Sequence, residues 1–370
     1  MRPVPPRITE TVITRHDFAL RHPSVVAYGC VETAPNVIVR IGLENGLVGW
    51  GCSAPDDHVT GETAETVEAT LREKLSPRLP GRDPRQIKAL WEELRRLAPS
   101  EPAALAAIDI ALHDLHGQLL GLPLTALYGA SRREIQTTMT LSIEPLAKNL
   151  GRTREFLDAG FQALKIKCGA SLDEDIERIR AIRELAGPAV TLTLDANQGY
   201  DVETTLQLLA AVAACRITFI EQPVPANDHA ALAQLCARAP IPVMADESIL
   251  GAADVAKTPA PLVNLKLMKT GGITGALECS AVAADRGINV MFGCMDESRV
   301  SMAAAAHLAL GLQNVAYADL DGHVDIIDDV VTGGIFLEDG MVRVSDAPGL
   351  GITPLPDDPR GPVRARFPRE

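Results

Sequence analysis

Five apolar, β-branched runs in the middle of the chain each end on charged side chains. ALKIKCG (163–169) carries Lys165 and Lys167, TLTLDANQG (191–199) reaches Asp195, ITFIEQP (217–223) Glu221, IPVMADES (241–248) Asp246, and LVNLKLMKTGG (262–272) Lys266. A strand turns alternate side chains to opposite faces, so Lys165 and Lys167 share one face while Leu164 and Ile166 take the other. The runs recur about every 20 to 28 residues with helical patterns between them, the βα rhythm of a barrel whose chemistry collects where strands end.

Extended along the chain, the pattern predicts eight barrel strands: 137–143, 162–167, 190–196, 217–222, 242–247, 262–267, 289–294 and 314–320. Upstream, NVIVRIGLE (36–44) and LVGWGC (47–52) flank Asn45-Gly46, a strong hairpin signal. Phe18 to Cys30 reads as a polar, mobile loop. Helices are expected over 62–75, 84–97 (with Pro84 as its first residue) and 102–120. Ser171 with Glu174 suggests a capping box opening another, closed by Gly187. The fold class is therefore α/β: a (β/α)8-type, modified TIM barrel with an N-terminal α+β capping domain completed by the C-terminal segment. Residues 1–125 form the cap, 126–345 the barrel with the site, and 346–370 a segment packing back on the cap.

Composition narrows the function. A chain of 370 residues, 46% hydrophobic, has ample core for a barrel plus a smaller domain. Its net charge of -13 argues against nucleic acid or an anionic membrane as partner. MRPVPPRITE lacks the apolar stretch of a secretion signal, and no run is long enough to span a bilayer, so a cytoplasmic location is expected. The seven cysteines are scattered without CxxC spacing and read as reduced thiols. His113 and His116, an i,i+3 pair without a carboxylate-rich partner segment, read as structural.

Three carboxylates, Asp195, Glu221 and Asp246, end consecutive strands, and such concentrated charge is costly without a cation. With no His or Cys alongside, they suit a hard ion, Mg2+. The competing reading, a surface acidic cluster, fits poorly with apolar strands. Read alone, Lys165 and Lys167 also suit a solvated edge strand. In a barrel, Lys167 on strand two and Lys266 on strand six face each other across the mouth, as moving a proton from one face of a carbon to the other requires. A metal on the substrate carboxylate would stabilise the enolate. Lys165 is expected to lower the pKa of Lys167 and help hold the carboxylate, and Lys269 either assists Lys266 or is a solvated loop lysine.

KIK, DANQ, EQP, ADES and NLKLMKTGG, in this order, resemble the enolase superfamily in its muconate-lactonizing branch, whose lysine-and-Mg2+ sites are a standard example of the chemistry. Asn197 and Glu247, within DANQ and ADES, are supporting candidates. GCMDES (293–298) and ADLDG (318–322) are similar to dipeptide epimerases of the L-Ala-D/L-Glu type. The resemblance implies that Asp319 and Asp321 receive the substrate's α-ammonium and that the α-carbon of the C-terminal residue is inverted by two-base 1,1-proton transfer through a metal-stabilised enolate; helix capping is the other reading of those aspartates. Such epimerases place an arginine for the glutamate carboxylate where Gly29 aligns, with Arg21 nearby. Asp296 should repel an acidic side chain, which predicts a neutral or cationic C-terminal residue. The small-molecule partner is thus a dipeptide, and a homo-oligomer is expected. Competing activities are an N-acylamino-acid racemase, an o-succinylbenzoate synthase or sugar-acid dehydratase, a Schiff-base aldolase, and a non-catalytic scaffold.

Overall fold

The computed structural model describes residues 6–27 and 29–356. Eight strands, Met139–Leu141, Ala163–Lys167, Thr191–Asp195, Ile220–Glu221, Val243–Ala245, Leu262–Leu265, Asn289–Phe292 and Val315–Ala318, pair in sequence order, each with its neighbour in parallel. A parallel bridge between Thr137 and Ala318 brings the first strand back to the last. All eight coincide with the predicted runs. Short strands reflect the physics of a filled barrel: two to five residues cross the packed interior, and the chain leaves for a helix or loop directly afterwards.

The N-terminal part is a three-stranded antiparallel sheet, Ile8–Val26, Gly29–Leu43 and Val48–Ser53, under the helices Ile87–Leu97 and Pro102–Leu120. Gly46 takes φ +85° in the Asn45-Gly46 turn, as the hairpin signal requires. Gly51 lets this sheet touch the helix: a Cβ there would lie 1.8 Å from the Ala107 carbonyl oxygen.

Three local expectations are corrected. Phe18 to Cys30 is a β-ribbon, its ladder running to Val26 opposite Gly29. Phe18, Leu20 and Ala34 pack with Ile326 beyond the eighth barrel strand, so the ribbon is anchored by burial its polar composition conceals. The second helix starts at Ile87, because Asp83 takes the Arg85 N–H at 3.0 Å and holds Pro84 in a turn. Ser171 does precede the helix Leu172–Ala186, but its side chain caps nothing; Asp175 instead accepts from Gly169 N at 2.9 Å. Of the C-terminal segment, Leu350 N donates to Asp114 of the long helix at 2.8 Å and Ile352–Pro354 pairs with Val331–Gly333. The rest of that segment, from 357, lies outside the described residues.

The long helix Pro102–Leu120 joins the two parts through a buried polar chain. The Tyr128 hydroxyl lies 2.7 Å from His113 Nδ1, His113 Nε2 lies 3.0 Å from Thr274 Oγ1, and Thr274 donates to Asp109 at 2.6 Å. Burial raises the Asp109 carboxyl to about 7 against the pull of Thr274, and burial lowers His113 to about 3. A carboxyl with a raised folded pKa adds stability that is complete below about pH 4 and is lost as pH rises through 7. Asp109→Asn removes that loss. The variant's melting temperature minus that of wild type should therefore become more positive from pH 4 to 7.5, read by calorimetry; a constant difference would contradict a titrating Asp109.

Candidate active site

Most residues that the sequence places at strand ends line one pocket over the barrel mouth; Asp195, Glu221 and Asp246 are wholly buried and do not line it. Lys165, Lys167, Asn197, Lys266, Asp296 and Asp319 line it, Asp321 sits beside them, and His22, Pro23, Val26 and Val31 of the ribbon cover it. Strand Ala163–Lys167 is buried throughout; Leu164 and Ile166 are wholly enclosed, and both lysines turn inward. Strands two and six stand four places apart in an eight-membered ring, so Lys167 and Lys266 approach from opposite sides.

Each amine is fixed by carboxylates. Lys167 Nζ lies 2.7 Å from Asp195 Oδ2 and 2.8 Å from Asn197 Oδ1; Lys266 Nζ lies 2.8 Å from Asp246 Oδ2. Lys165 pairs with Asp319 and lies 3.3 Å from Asp195 and 3.8 Å from Glu221. Lys269 is wholly buried: it bonds the Asp246 carboxylate and main-chain carbonyl and the Asn264 carbonyl at 3.0 Å, so it is a support for Asp246 and not a solvated loop lysine. Asn197 joins Lys167 to Glu247, donating to the latter at 3.2 Å.

At Lys165 and Lys266 the neighbouring anions decide the pKa. Burial alone would push Lys165 down, but Asp319, Glu221 and Asp195 outweigh it and hold it well above the usual lysine value. Burial likewise opposes Lys266, and Asp246 with Glu221 raises it. Two like charges two residues apart repel less than the surrounding anions attract.

Glu221 takes what these amines leave uncompensated. Burial and Asp195 push its carboxyl well above the ordinary range, whereas Lys167 and Lys165 overcome burial at Asp195 and hold it low. Burial and Asp246 raise Glu247 to about 7. Glu221 Oε2 accepts no hydrogen bond, and its Oε1 is oriented by Asn264 at 2.6 Å. Six carboxylates, those of Asp195, Glu221, Asp246, Glu247, Asp319 and Asp321, face four ammonium groups, those of Lys165, Lys167, Lys266 and Lys269. Oxygen-only donors with a deficit of positive charge and an unpartnered buried oxygen suit a hard divalent cation. As they stand the side chains turn onto the lysines, and among the described residues no three acidic, Cys or His groups form a ready-made cage.

Asp319 Oδ1 accepts from the Thr138 hydroxyl at 2.6 Å, and Asp321 Oδ2 from Thr140 N at 2.9 Å. Among the described residues no helix follows Asp319 and Asp321, so they are not helix caps. Burial and Asp319 raise Asp321 to about 6; burial, Asp321 and Asp325 raise Asp296 to about 7. Arg21 is not in the pocket lining: its guanidinium donates to the Val324 carbonyl at 3.2 Å. Gly29 begins a ribbon strand, with nothing within 4 Å of the place a Cβ would occupy.

The family descriptions of the mandelate racemase/muconate lactonizing enzyme N-terminal domain and of the enolase C-terminal domain-like region match residues 8–129 and 150–358. The chain belongs to the enolase superfamily. Among superfamily relatives, the L-Lys-D/L-Arg epimerase of Methylococcus capsulatus is 42% identical over 94% of this chain and 99% of its own. A dipeptide epimerase structure from that organism, complexed with Mg and L-Arg-D-Lys, superposes with a TM-score of 0.88 at 40% identity, covering 94% of this chain and 99% of the other. A substrate-liganded L-Ala-D/L-Glu epimerase from Bacillus subtilis gives 0.91 at 34% identity, covering 94% and 98%.

Sequence reasoning missed several supporting groups. Asn264 was legible as a lone polar residue inside the apolar run LVNL. Gln222, whose Oε1 accepts from Asp246 N at 2.9 Å, takes φ 30°, and Asn197 φ 39°. Such left-handed conformations in larger residues cost about 1–3 kcal/mol and cluster at functional sites. His22, Arg152 and Asp325 gave no local signal: His22 Nδ1 lies 2.9 Å from Asp325 and Arg152 lies 3.2 Å from His22 Nε2, a trio that ties the ribbon to the barrel. Among the described residues, no helix is long and apolar enough to cross a membrane.

Proposed function

We propose that the chain is a Mg2+-dependent dipeptide epimerase that inverts the α-carbon of the C-terminal residue, with a cationic or neutral side chain there. The observation that supports it most is the pair of amines, Lys167 and Lys266, half a barrel ring apart beside buried carboxylates. Asp195, Glu221 and Asp246 would hold the ion. When bound, Mg2+ supplies positive charge next to the substrate carboxylate, where negative charge gathers as the α-proton leaves.

The remaining steps fall to the chain itself. One lysine removes the α-proton from its face as the neutral amine, a form the adjoining carboxylates disfavour until a divalent cation takes up their charge, and the other, as ammonium, returns a proton from the opposite face. Asp195 and Asn197 aim Lys167 from two sides, and Asp246, itself braced by Lys269, aims Lys266. Lys165 balances Asp195, Glu221 and Asp319. Asp319 and Asp321, oriented by Thr138 and Thr140, suit a substrate ammonium, which an N-acylated amino acid lacks.

Asp296 gives the pocket wall a carboxyl that burial, Asp321 and Asp325 raise to about 7, so a cationic side chain beside it would favour its charged form and an acidic one would not. Of the other cations lining the pocket, Lys148 pairs with Glu144, and Arg152 pairs with Glu155 at 3.2 Å and lies 3.6 Å from Asp325. Among the described residues a glutamate side chain would thus meet a carboxyl group and no uncommitted cation, whereas a lysine or arginine side chain would meet its counter-charge. The name and bound ligand of the Methylococcus capsulatus relatives point the same way.

Proton exchange at the α-carbon in D2O, followed by NMR over a panel of L,L-dipeptides, tests this. Lys- and Arg-ended substrates should exchange at least about tenfold faster than L-Ala-L-Glu, the discrimination one unfavourable charge pair produces. Preference for L-Ala-L-Glu would reject the side-chain assignment. Faster exchange of N-succinyl-arginine would replace the dipeptide reading by an N-acylamino-acid racemase.

A further inference from the structure

Asn36, on the second strand of the capping sheet, uses all four of its hydrogen-bonding positions at the edge of the pocket. It is wholly buried. Its amide nitrogen donates to the Ala34 carbonyl at 3.2 Å and to the Asp296 carbonyl at 3.0 Å; its oxygen accepts from Ser298 N at 2.9 Å and from the Cys52 thiol at 3.1 Å. Two of these contacts cross from the cap to the loop after barrel strand seven, on either side of Glu297. That loop carries Asp296 into the pocket.

We propose that Asn36 is a positioning residue for substrate selection: it clamps the 296–298 backbone so that the Asp296 carboxylate faces the side chain of the C-terminal residue. The inference rests on the dipeptide-epimerase reading and on the part given there to Asp296. The loop is otherwise held from the far side, where the Ser298 hydroxyl donates to Asp329 at 2.7 Å and Arg299 N to the same carboxylate at 2.8 Å. Glu297 takes Met295 N at 2.9 Å. The peptide between Asp296 and Glu297 is held at both ends, its N–H by the Gly322 carbonyl at 3.1 Å and its carbonyl by Asn36, which is the side chain that ties it to the cap. A fully satisfied buried amide has one geometry, and replacing it frees three main-chain groups at once, two of them in the loop. Since Asn36 touches no reacting atom, its loss should change which substrate binds and leave proton transfer intact.

A double-mutant cycle separates this from a general structural role. Asn36→Ser and Asp296→Asn, singly and together, are assayed by α-proton exchange on an Arg-ended dipeptide and on L-Ala-L-Ala. Asn36→Ser should raise KM for the Arg-ended substrate about tenfold with kcat held within about twofold, a size in keeping with small displacements of a positioned group. The L-Ala-L-Ala values should hardly move. In the double variant the KM should match that of Asp296→Asn alone. Additive losses, or equal losses on both substrates, overturn the proposal while leaving the epimerase reading standing. A wild-type protein that exchanges no dipeptide, or an Asp296→Asn variant that keeps the cationic preference, overturns the underlying reading and this proposal with it. Should the serine variant not fold, Asn36→Thr, whose branched side chain suits the strand and adds no charge beside Asp296, carries the same cycle.

Discussion

Lys167→Ala and Lys266→Ala are each expected to lower dipeptide epimerisation by about 10³-fold or more, within the range for loss of a positioned acid or base. Neither should abolish all chemistry. With Lys167 gone, Lys266 can still draw the α-proton from the stereoisomer that presents it to strand six, and the proton returns on the side it left. Each variant should therefore exchange solvent deuterium into one stereoisomer only, and the two variants into opposite ones. NMR of the separate L,L and L,D substrates reads this directly. If both variants exchange both isomers at equal rates, the amines do not act from opposite faces. The active-site packing makes the test clean: Lys167 rests on Asp195 and Asn197 and Lys266 on Asp246, so neither amine can replace the other without crossing the pocket.

The barrel was readable because most of its strands announce themselves twice, by a β-branched apolar run and by a charged residue where the run stops. This worked even for Ile220–Glu221, only two residues long, since the run ITFIEQ is apolar whatever its pairing. Carboxylates and lysines at strand ends were legible for the same reason: a charge closing a buried strand is too costly to be idle. What failed was everything decided by contacts distant in sequence. The ribbon reads as a polar loop because its anchors, Ile326 and Asp325, lie about three hundred residues on. The raised pKa of Lys165 was not legible because the anions facing it come from three separate strand ends. Arg21 looked near the site in sequence, yet its guanidinium is engaged by the Val324 carbonyl. Asn264 and Gln222 were hidden in plain view, as polar residues within runs whose other members are mostly apolar.

Glu221→Gln is expected to cost as much as the lysine variants, by a different route. Glu221 is enclosed, Asn264 holds Oε1, and Oε2 accepts no hydrogen bond, with Lys165 Nζ 3.8 Å away, so on the proposed function Oε2 is the oxygen a cation would take. Wild-type protein should gain thermal stability as Mg2+ is added, about 2.7 kcal/mol at a hundredfold excess over Kd, because the ion binds the folded barrel and not the unfolded chain. Glu221→Gln should lose most of that gain and most of the turnover. Without Mg2+ the order reverses: the variant should melt at or above wild type, since an uncompensated buried carboxylate costs stability that a neutral amide does not. Calorimetry with and without Mg2+ reads both, and a chelator should halt wild-type exchange until Mg2+ is restored. A variant that responds to Mg2+ as wild type does would remove Glu221 from the ligand set. The crossing of the two melting orders is the signature that separates a lost cation site from a merely damaged core, in which the variant would be the less stable under both conditions.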